Sequence, residues 1–299
     1  MKIAFLGLGD IGKPMAHHLA RDPFDLTVWN RTASKAAQFV TEHAGKKVKA
    51  TPTPAEAVKG REIVITCLPS SVEVEELLHQ KDGILAGISS GSVMLDCTSG
   101  DPTTSIAIAA ELKSRGVQFV DAPVSGGTIG AVEGRLTVMC GGERAAFDRV
   151  MPALEAFAKK IVHCGPVGAG HTVKAVNQAL LAVHILATAE ALVTAAKAGV
   201  SPAVALEVIN ASSGRSNSSE NLIPARALTR EFPRTFRLAL LDKDIDIAAR
   251  LAKEMEVEAP LISLAARLTT EAHRMLGEEV DHVEAVRLVE RRGGAEIKS

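Results

Sequence analysis

Short runs of apolar and β-branched residues alternate with segments of helical period through the first half of the chain. This alternation is typical of a mostly parallel sheet whose strands are joined by crossover helices. The runs predict strands at Lys2–Leu6, Leu26–Trp29, Ile63–Cys67, Val93–Cys97, Gln118–Asp121, Leu136–Cys140 and Ile161–His163. The segments between them predict helices that begin near Ile11, Ala33, Pro54, Val72, Thr103 and Glu143. The pattern therefore predicts a doubly wound α/β fold of the Rossmann type.

The pattern of apolar and polar residues changes at a glycine-rich segment, residues 165–170, with the sequence GPVGAG. Beyond it the apolar residues follow a helical period almost to the end, and no strand pattern stands out. A chain of 299 residues is long for a single hydrophobic core. We therefore expect two domains, an α/β domain over residues 1–165 and an all-α domain over residues 166–299.

Composition and charge exclude several classes of partner. With 35 acidic and 34 basic residues the formal net charge is −1, so nothing attracts the chain to nucleic acid or to an anionic membrane. We find no uninterrupted apolar run of membrane-spanning length and no leader pattern, and we expect a cytoplasmic protein. The four cysteines and nine histidines show no Cys-x-x-Cys or His-Glu-x-x-His spacing. Reduced, buried thiols and no metal site are expected.

A glycine loop, GLGDIG, follows the first predicted strand and opens the first predicted helix. In such a loop Gly7 permits the tight turn, Gly9 lets a pyrophosphate approach the backbone, and Gly12 allows the helix to pack on the strand. The helix N-terminus then faces the phosphates. The alternative is an ordinary strand-to-helix turn. Its position in the strand–loop–helix unit favours dinucleotide binding, with Leu8 and Ile11 as further contacts.

The end of the second strand selects between the two nicotinamide dinucleotides. An NAD site usually has Asp or Glu there to bind the ribose 2′-hydroxyl, whereas this chain has Asn30, Arg31 and Thr32. These three side chains can donate hydrogen bonds to a 2′-phosphate. The alternative is that Thr32 caps a helix and Arg31 is merely solvated. We predict NADP in preference to NAD.

Two loops at the carboxyl ends of later strands carry further candidate contacts. Residues 121–128, DAPVSGGT, place Ser125 beside the consecutive glycines Gly126 and Gly127, whose N–H groups suit a small carboxylate. Taken alone, a simple turn is an equal alternative. Residues 96–102, DCTSGDP, end the predicted strand Val93–Cys97 in the same way. Ligands of doubly wound sheets bind at this edge.

The first helix after the boundary, predicted over residues 171–198, is apolar almost all round, which predicts burial. Lys174, Asn177 and Gln178 stand at positions i, i+3 and i+4 and share one face. A buried lysine beside a cationic nicotinamide would have a lowered pKa, which suits proton exchange with a substrate oxygen. The alternative is a lysine that snorkels to solvent. His184 is expected to be a core histidine. The absence of tyrosine excludes a Tyr-Lys catalytic pair.

Taken together, these features resemble the β-hydroxyacid dehydrogenase family over nearly the whole length of the chain. The segments that carry the resemblance are GLGDIGKPMA, CLPSS, DAPVSGGTIGAVEGRLTVMCGG, GAGHTVKAVNQ and FRLALLDKDI. The resemblance implies a Rossmann domain that binds the dinucleotide and a helical substrate and dimerisation domain. It also implies a homodimer or homotetramer.

The resemblance assigns roles to residues that match the family's motifs. Lys174 matches the catalytic general acid/base. The positions that match substrate contacts are Ser125, Gly126, Gly127, Asn177, Gln178 and Phe236. Beyond the glycine loop and the end of the second strand, the positions that match cofactor contacts are Leu68, Pro69, Ser99 and Lys243. Four positions depart from the family's usual residues: Ile11 for methionine, Ser99 for threonine, Gln178 for asparagine, and Glu73 for asparagine.

The activity that the resemblance implies is NAD(P)-dependent oxidation of 3-hydroxyisobutyrate, or a similar small β-hydroxy acid, to its semialdehyde by hydride transfer. Reduction of tartronate semialdehyde, glyoxylate or succinic semialdehyde is the nearest alternative. A non-catalytic dinucleotide-binding module is an alternative of another class. The presence of Lys174 with Asn177 and an intact Ser-Gly-Gly loop argues against such a module.

Overall fold

The first part of the chain folds around a nine-stranded sheet. The computed structural model describes all residues from Met1 to Ser299, which divide into two units, Met1–Lys174 and Ala175–Ser299. The strands are β1 Lys2–Leu6, β2 Asp25–Trp29, β3 Val48–Ala50, β4 Ile63–Thr66, β5 Val93–Asp96, β6 Gln118–Asp121, β7 Val124–Ser125, β8 Leu136–Gly142 and β9 Ala158–Gly165. Their order across the sheet is β3-β2-β1-β4-β5-β6-β8-β7, with β9 paired to β8.

The first six strands are parallel, and β8 turns back antiparallel to both β6 and β7. The order β3-β2-β1-β4-β5-β6 is that of a dinucleotide-binding doubly wound sheet, which has its topological switch point between β1 and β4. The helices of this unit are α1 Gly12–Leu19, α2 Ala33–Glu42, α3 Pro54–Val58, α4 Ser71–His79, α5 Ile84–Gly87, α6 Pro102–Ser114, α7 Gly127–Val132 and α8 Arg144–Leu154. The Rossmann fold predicted from the apolar runs is confirmed.

The central strands are apolar because helices or loops cover both faces of the sheet. All four residues of β4 and of β5 are buried. Side chains that alternate along β1 enter two different cores: Ile3 and Phe5 pack in one, and Ala4 and Leu6 in the other. Two layers of helices around one sheet follow from this division.

The second unit is helical. It contains most of α9, Ala169–Lys197, which begins in the first unit, and then α10 Pro202–Asn210, α11 Leu238–Glu254, α12 Pro260–Leu276 and α13 Val286–Gly293. Two π-helical turns, Ser218–Leu222 and Pro224–Leu228, and a 3₁₀ turn, His282–Ala285, lie among them. The prediction of a helical region without strands is confirmed, apart from one isolated bridge that joins Arg237 to Asp281.

Helix α9 corrects two expectations. It was predicted to be buried all round, but Val176 and Leu180 are 41% and 56% exposed, and His184, expected in the core, is exposed as well. The opposite side of the helix, which includes Ala179, Ile185 and Leu192, lies in the core of the second unit. By length and composition alone α9 could span a membrane. Its apolar character is accounted for by one packed side and one exposed apolar strip.

Candidate functional site

The glycine loop between β1 and α1 shows a different steric reason for each of its glycines. Gly7 has φ +106°, and a Cβ there would lie 2.3 Å from the Cys67 carbonyl oxygen. A Cβ on Gly12 would lie 2.0 Å from the Gly7 carbonyl oxygen. A Cβ on Gly9 would meet nothing within 4 Å. Packing within the protein therefore requires the first and third glycines, whereas the second borders open space.

Three backbone N–H groups of this loop have no acceptor carbonyl in the protein. The N–H groups of Gly9, Asp10 and Ile11 donate to no carbonyl of the protein, and helix α1 has no acidic side chain in its first turn. Helix N-termini with free N–H groups bind phosphate. The open space at Gly9 and the free donors beside it fit the pyrophosphate of a dinucleotide.

At the end of β2, Asn30 is engaged with the protein itself. Its Oδ1 accepts from the Leu8 N–H at 2.9 Å, and its Nδ2 donates to the Thr32 carbonyl at 3.1 Å. Arg31 and Thr32 are exposed, and Thr32 makes no side-chain cap to α2 although it is the N-cap residue. Asn30 thus ties the glycine loop to β2, and Arg31 makes no hydrogen bond or ion pair within the protein.

One residue near Arg31 was missed by the sequence analysis. Lys35 lies exposed in the first turn of α2, a turn that has no acidic side chain. A basic first turn is unfavourable for the helix dipole unless an anion is present. That mismatch is the signal in the sequence that could have identified Lys35.

The ends of β4 and β5 are joined by hydrogen bonds to a buried carboxylate. Asp96 Oδ1 accepts from Thr66 Oγ1 at 2.8 Å and from the Thr98 N–H at 3.1 Å. Thr98 Oγ1 in turn accepts from the Leu68 N–H at 3.1 Å. This network fixes the backbone beside Ser99, which is half-buried.

The predicted cofactor residues of the first unit therefore gather at one edge of the sheet. A Leu68 methyl carbon lies 2.9 Å from where a Cβ on Gly7 would stand, so Leu68 packs directly on the glycine loop. Pro69 follows it and is exposed. Glu73, which departs from the family's usual asparagine, accepts a hydrogen bond from Ser70 Oγ at 2.5 Å. Its carboxylate is therefore occupied by a hydrogen bond at the start of α4.

The Ser-Gly-Gly loop lies between β7 and α7. Ser125 pairs with Thr137 of β8, Gly126 has φ +132°, and Gly127 has φ +63° and begins α7. Neither glycine donates its N–H to a backbone carbonyl. A Cβ on Gly127 would meet nothing within 4 Å. The loop therefore presents free donors next to open space, as a small anion requires.

Lys174 stands near the start of α9 and is only 8% exposed, so its side chain does not snorkel to solvent. The first turn of α9 is held by Asp121 at the end of β6, a residue that the sequence analysis gave no role. Asp121 accepts from the Gly168 N–H at 2.7 Å and from the His171 N–H at 2.8 Å. Burial raises the pKa of this carboxyl, while His171 and the two N–H groups act in the opposite direction.

In the second unit a buried carboxylate connects three of the predicted residues. Asp244 Oδ2 accepts from Gln178 Nε2 at 3.0 Å, and its Oδ1 lies 2.7 Å from Lys243 Nζ. Asn177 Nδ2 reaches Gln178 Oε1 at 3.4 Å. Asp244 is 2% exposed. It is a further residue with no role assigned from the sequence, and its proximity to Gln178 depends on the tertiary fold.

Phe236 is positioned by the Asp281–His282 segment. Its ring meets the His282 ring edge-on, with the centroids 5.4 Å apart. Its N–H donates to Asp281 Oδ2 at 3.3 Å, and its carbonyl accepts from the His282 N–H at 2.8 Å. These contacts fix the direction of a half-buried aromatic side chain.

The cysteines are free thiols in environments that suppress ionisation. Burial raises the pKa of Cys67 and of Cys140 to about 12. Cys97 is 2% exposed, and burial raises the pKa of its thiol well above the ordinary value. A thiol that stays protonated is a poor nucleophile. Cys97 and Cys140 are therefore core residues, and Cys67 packs against the core.

Two family models match adjacent parts of the chain. Residues 2–165 match the NAD binding domain of 6-phosphogluconate dehydrogenase. Residues 168–289 match the NAD-binding domain of NADP-dependent 3-hydroxyisobutyrate dehydrogenase. Together the two matches extend over nearly the whole chain.

Individual dehydrogenases and reductases are also similar to the chain over most of its length. The chain is 36% identical to an NAD-dependent L-serine dehydrogenase of Pseudomonas aeruginosa, with 89% of this chain and 90% of that protein covered. It is 32% identical to the 2-hydroxy-3-oxopropionate reductase of Escherichia coli, with 97% of each covered. Among solved structures, 3-hydroxyisobutyrate dehydrogenase of Mycobacterium tuberculosis with L-serine is 30% identical. It has a TM-score of 0.87 and covers 96% of this chain and 98% of that one.

Proposed function

Because this chain belongs to the β-hydroxyacid dehydrogenase family, we propose that it oxidises 3-hydroxyisobutyrate, or a similar small β-hydroxy acid, to the semialdehyde. A nicotinamide dinucleotide held at the glycine loop would supply the hydride acceptor for this oxidation. The observation that carries the proposal is Lys174, a lysine 8% exposed on a helix whose first turn is fixed by Asp121.

Lys174 accepts the hydroxyl proton during oxidation and returns it during reduction. A general acid/base of this kind works best with a pKa near the working pH. Its place near the start of a helix held to the sheet restricts the motion of its backbone. A fixed backbone favours proton transfer because the reacting atoms must align closely.

The carboxylate of the substrate is held by Ser125 and by the N–H groups of Gly126 and Gly127. Support for this assignment comes from the free donors and the open space at Gly127. Charge-assisted hydrogen bonds are worth about 1.5–3 kcal/mol each, so a substrate without a carboxylate loses several of them. The roles of Asn177, Gln178, Phe236 and Lys243 stay predictions.

For the cofactor we propose NADP in preference to NAD. Arg31 has no partner in the protein, Lys35 lies one turn further on, and no carboxylate ends β2. Both cations suit a 2′-phosphate. Asn30 contributes by holding the glycine loop to β2, since both ends of its amide are bonded within the protein.

The test is a steady-state screen of the purified protein, with NADP or NAD for the hydroxy acids and the alcohol and with NADPH or NADH for the semialdehyde. The substrates are 3-hydroxyisobutyrate, L-serine, tartronate semialdehyde and isobutanol. We expect turnover of the acids and none of isobutanol. Equal kcat/KM for isobutanol and 3-hydroxyisobutyrate would remove the carboxylate role of the Ser-Gly-Gly loop. A preference for tartronate semialdehyde would favour a reductase similar to the Escherichia coli relative. No turnover with any of them, despite cofactor binding, would favour a non-catalytic module.

A further inference from the structure

A buried histidine joins the start of α9 to the loop after β5. His171 is 0% exposed, its Nε2 lies 2.7 Å from the Thr98 carbonyl oxygen, and its Nδ1 lies 2.6 Å from Ser105 Oγ. Its own N–H donates to Asp121. One residue thus contacts the ends of β5 and β6 and the first turn of α6.

The direction of the first of these hydrogen bonds is fixed by chemistry. A carbonyl oxygen only accepts, so Nε2 must carry a hydrogen and donate to Thr98. Ser105 Oγ also lies 3.1 Å from the Asp101 carbonyl, so its single hydrogen can go either to Asp101 or to Nδ1 of His171. The bond from Nε2 to Thr98 is common to both arrangements.

The loop is also packed against the imidazole ring. A Cβ on Gly100 would lie 3.1 Å from Cε1 of His171 and 2.5 Å from Ser71 Oγ. Ser71 Oγ accepts from the Asp101 N–H at 2.8 Å. The loop from Thr98 to Asp101 is therefore held between the start of α4 and the histidine.

His171 and Lys174 stand at positions i and i+3 of α9, so their side chains leave the same face of the helix. Both are buried. Ser99, a predicted cofactor contact, directly follows the carbonyl that His171 binds. A displacement of His171 would therefore move the backbone of Ser99 and the turn that carries Lys174 together.

We propose that His171 is a positioning residue that couples the orientation of Lys174 to that of the Thr98–Ser99 backbone. The proposal rests on the proposed function only in giving Lys174 its proton-transfer role. His171 is 0% exposed; its imidazole acts through the carbonyl of Thr98, and its backbone N–H is held by the carboxylate of Asp121.

The experiment compares His171→Gln with His171→Asn. Glutamine places an amide donor at about the reach of Nε2 and can keep the bond to Thr98. Asparagine reaches only as far as Nδ1 and loses that bond. Misplacement by 1 Å can cost about a hundredfold in rate. We therefore expect the Asn variant to lose about 10- to 100-fold in kcat and to gain several-fold in KM for the cofactor. The Gln variant should stay within about threefold of wild type.

The KM for the hydroxy acid should stay within about threefold in both variants, because the hydrogen bonds of His171 go to Thr98, Ser105 and Asp121 and not to the Ser-Gly-Gly loop. Ser114→Ala, on the exposed end of α6, is the control for α6. Thermal melts establish that each variant is folded at the assay temperature. Equal kcat in the folded Asn and Gln variants, or a change confined to the melting temperature, would overturn the proposal.

Hydrogen–deuterium exchange of the wild-type protein tests the coupling without a variant. Peptides that cover residues 97–101 and 168–174 should gain protection together when NADPH is added. Independent responses of the two peptides would overturn the proposal even if every His171 variant failed to fold. If Lys174→Ala retained full turnover, the proposed function would be wrong while the exchange result still decided the coupling. If Lys174→Ala lost turnover and His171→Asn kept it, the coupling alone would be wrong.

Discussion

Gln178 and Asp244, 66 residues apart in the sequence, are joined by a 3.0 Å hydrogen bond in the core of the helical unit. The second oxygen of the same carboxylate lies 2.7 Å from the Lys243 ammonium group. A buried carboxylate that is paired and hydrogen-bonded on both oxygens avoids the cost of an isolated buried charge. Asp244 therefore contacts two predicted active-site residues at once.

Replacing Asp244 should lower activity because its carboxylate contacts Gln178 and Lys243. In Asp244→Asn the amide keeps one oxygen and loses the charge opposite Lys243. We expect kcat/KM to fall by about tenfold, the value of roughly 1.4 kcal/mol. Asp246→Asn, which alters an exposed carboxylate on the same helix, is the control and should stay within about twofold. Equal effects of the two variants would show that the Asp244 network has no role in positioning.

Lys174→Ala should remove the proton-transfer group while leaving the fold intact. We expect kcat to fall by about 10²- to 10⁴-fold, the usual contribution of a positioned acid/base residue. Cofactor affinity, measured by fluorescence titration with NADPH, should change by no more than a few-fold. Lys197→Ala, at the exposed end of the same helix, is the matched control. A Lys174→Ala enzyme with half of the wild-type kcat is incompatible with the proposed role.

The choice of cofactor should depend on two adjacent residues for different reasons. Arg31→Ala removes a charge-assisted hydrogen bond of about 1.5–3 kcal/mol and should erase most of a preference for NADP of roughly 10- to 100-fold. In Asn30→Asp the carboxylate can still accept from the Leu8 N–H, so the glycine loop is kept while a 2′-phosphate is repelled. The balance should turn toward NAD. Arg21→Ala, at another exposed arginine, is the control. Wild-type preference for NAD, measured from KM for both cofactors, would contradict this interpretation.

The stability of the helical unit should depend on the ionisation of Asp281. Burial alone would raise the pKa of this carboxyl, but its hydrogen bond to His282, the charge of that residue and the N–H groups of Thr235 and Val283 lower it well below the ordinary value. The unfolded chain has a pKa of about 3.9. The stabilisation is therefore present above about pH 4. It is lost as the pH falls through the lower pKa of the folded protein.

Asp281→Asn should then destabilise the protein strongly at pH 7 and less near the acid limit of folding. Urea denaturation at a series of pH values measures the difference from wild type. Asp148→Asn, which removes an exposed carboxylate of a surface ion pair, should cost at most about 1 kcal/mol at any pH. A destabilisation of Asp281→Asn that did not change with pH would exclude the ionised carboxylate as its source.

The sequence identified the elements whose signals are local. β1 and β6 have the bounds that their apolar runs predicted, and the glycine loop was found from its spacing. The sequence did not predict the short elements β3, α5, β7 and α7. Segments of two to six residues are too short to show a periodic pattern of apolar residues. The boundary near residue 165 remains a prediction about domains.

The residues of the candidate site also divide into those that local sequence identifies and those whose role depends on the folded structure. Ser125 is recognisable because it stands beside two glycines, and Lys174 because it stands on an apolar helix. Arg31 is recognisable because it follows the second strand where no carboxylate is present. Asp121 and Asp244 were given no role, because each acts on residues 47 to 66 positions away through the folded structure. Asn30 was identified as a cofactor contact, but its hydrogen bond to Leu8 depends on how β2 lies next to β1.

The three glycines of the loop are required for two different reasons, the fold at Gly7 and Gly12 and the space for a ligand at Gly9. Alanine at Gly7 or Gly12 collides with a carbonyl oxygen, so loss of either glycine is a folding defect. Alanine at Gly9 collides with nothing in the protein, and the added methyl group enters the space where a phosphate would lie. A cell that carries Gly9→Ala would keep the folded protein at normal abundance without its cofactor. Such a strain would distinguish a physiological need for catalysis from a need for the protein itself.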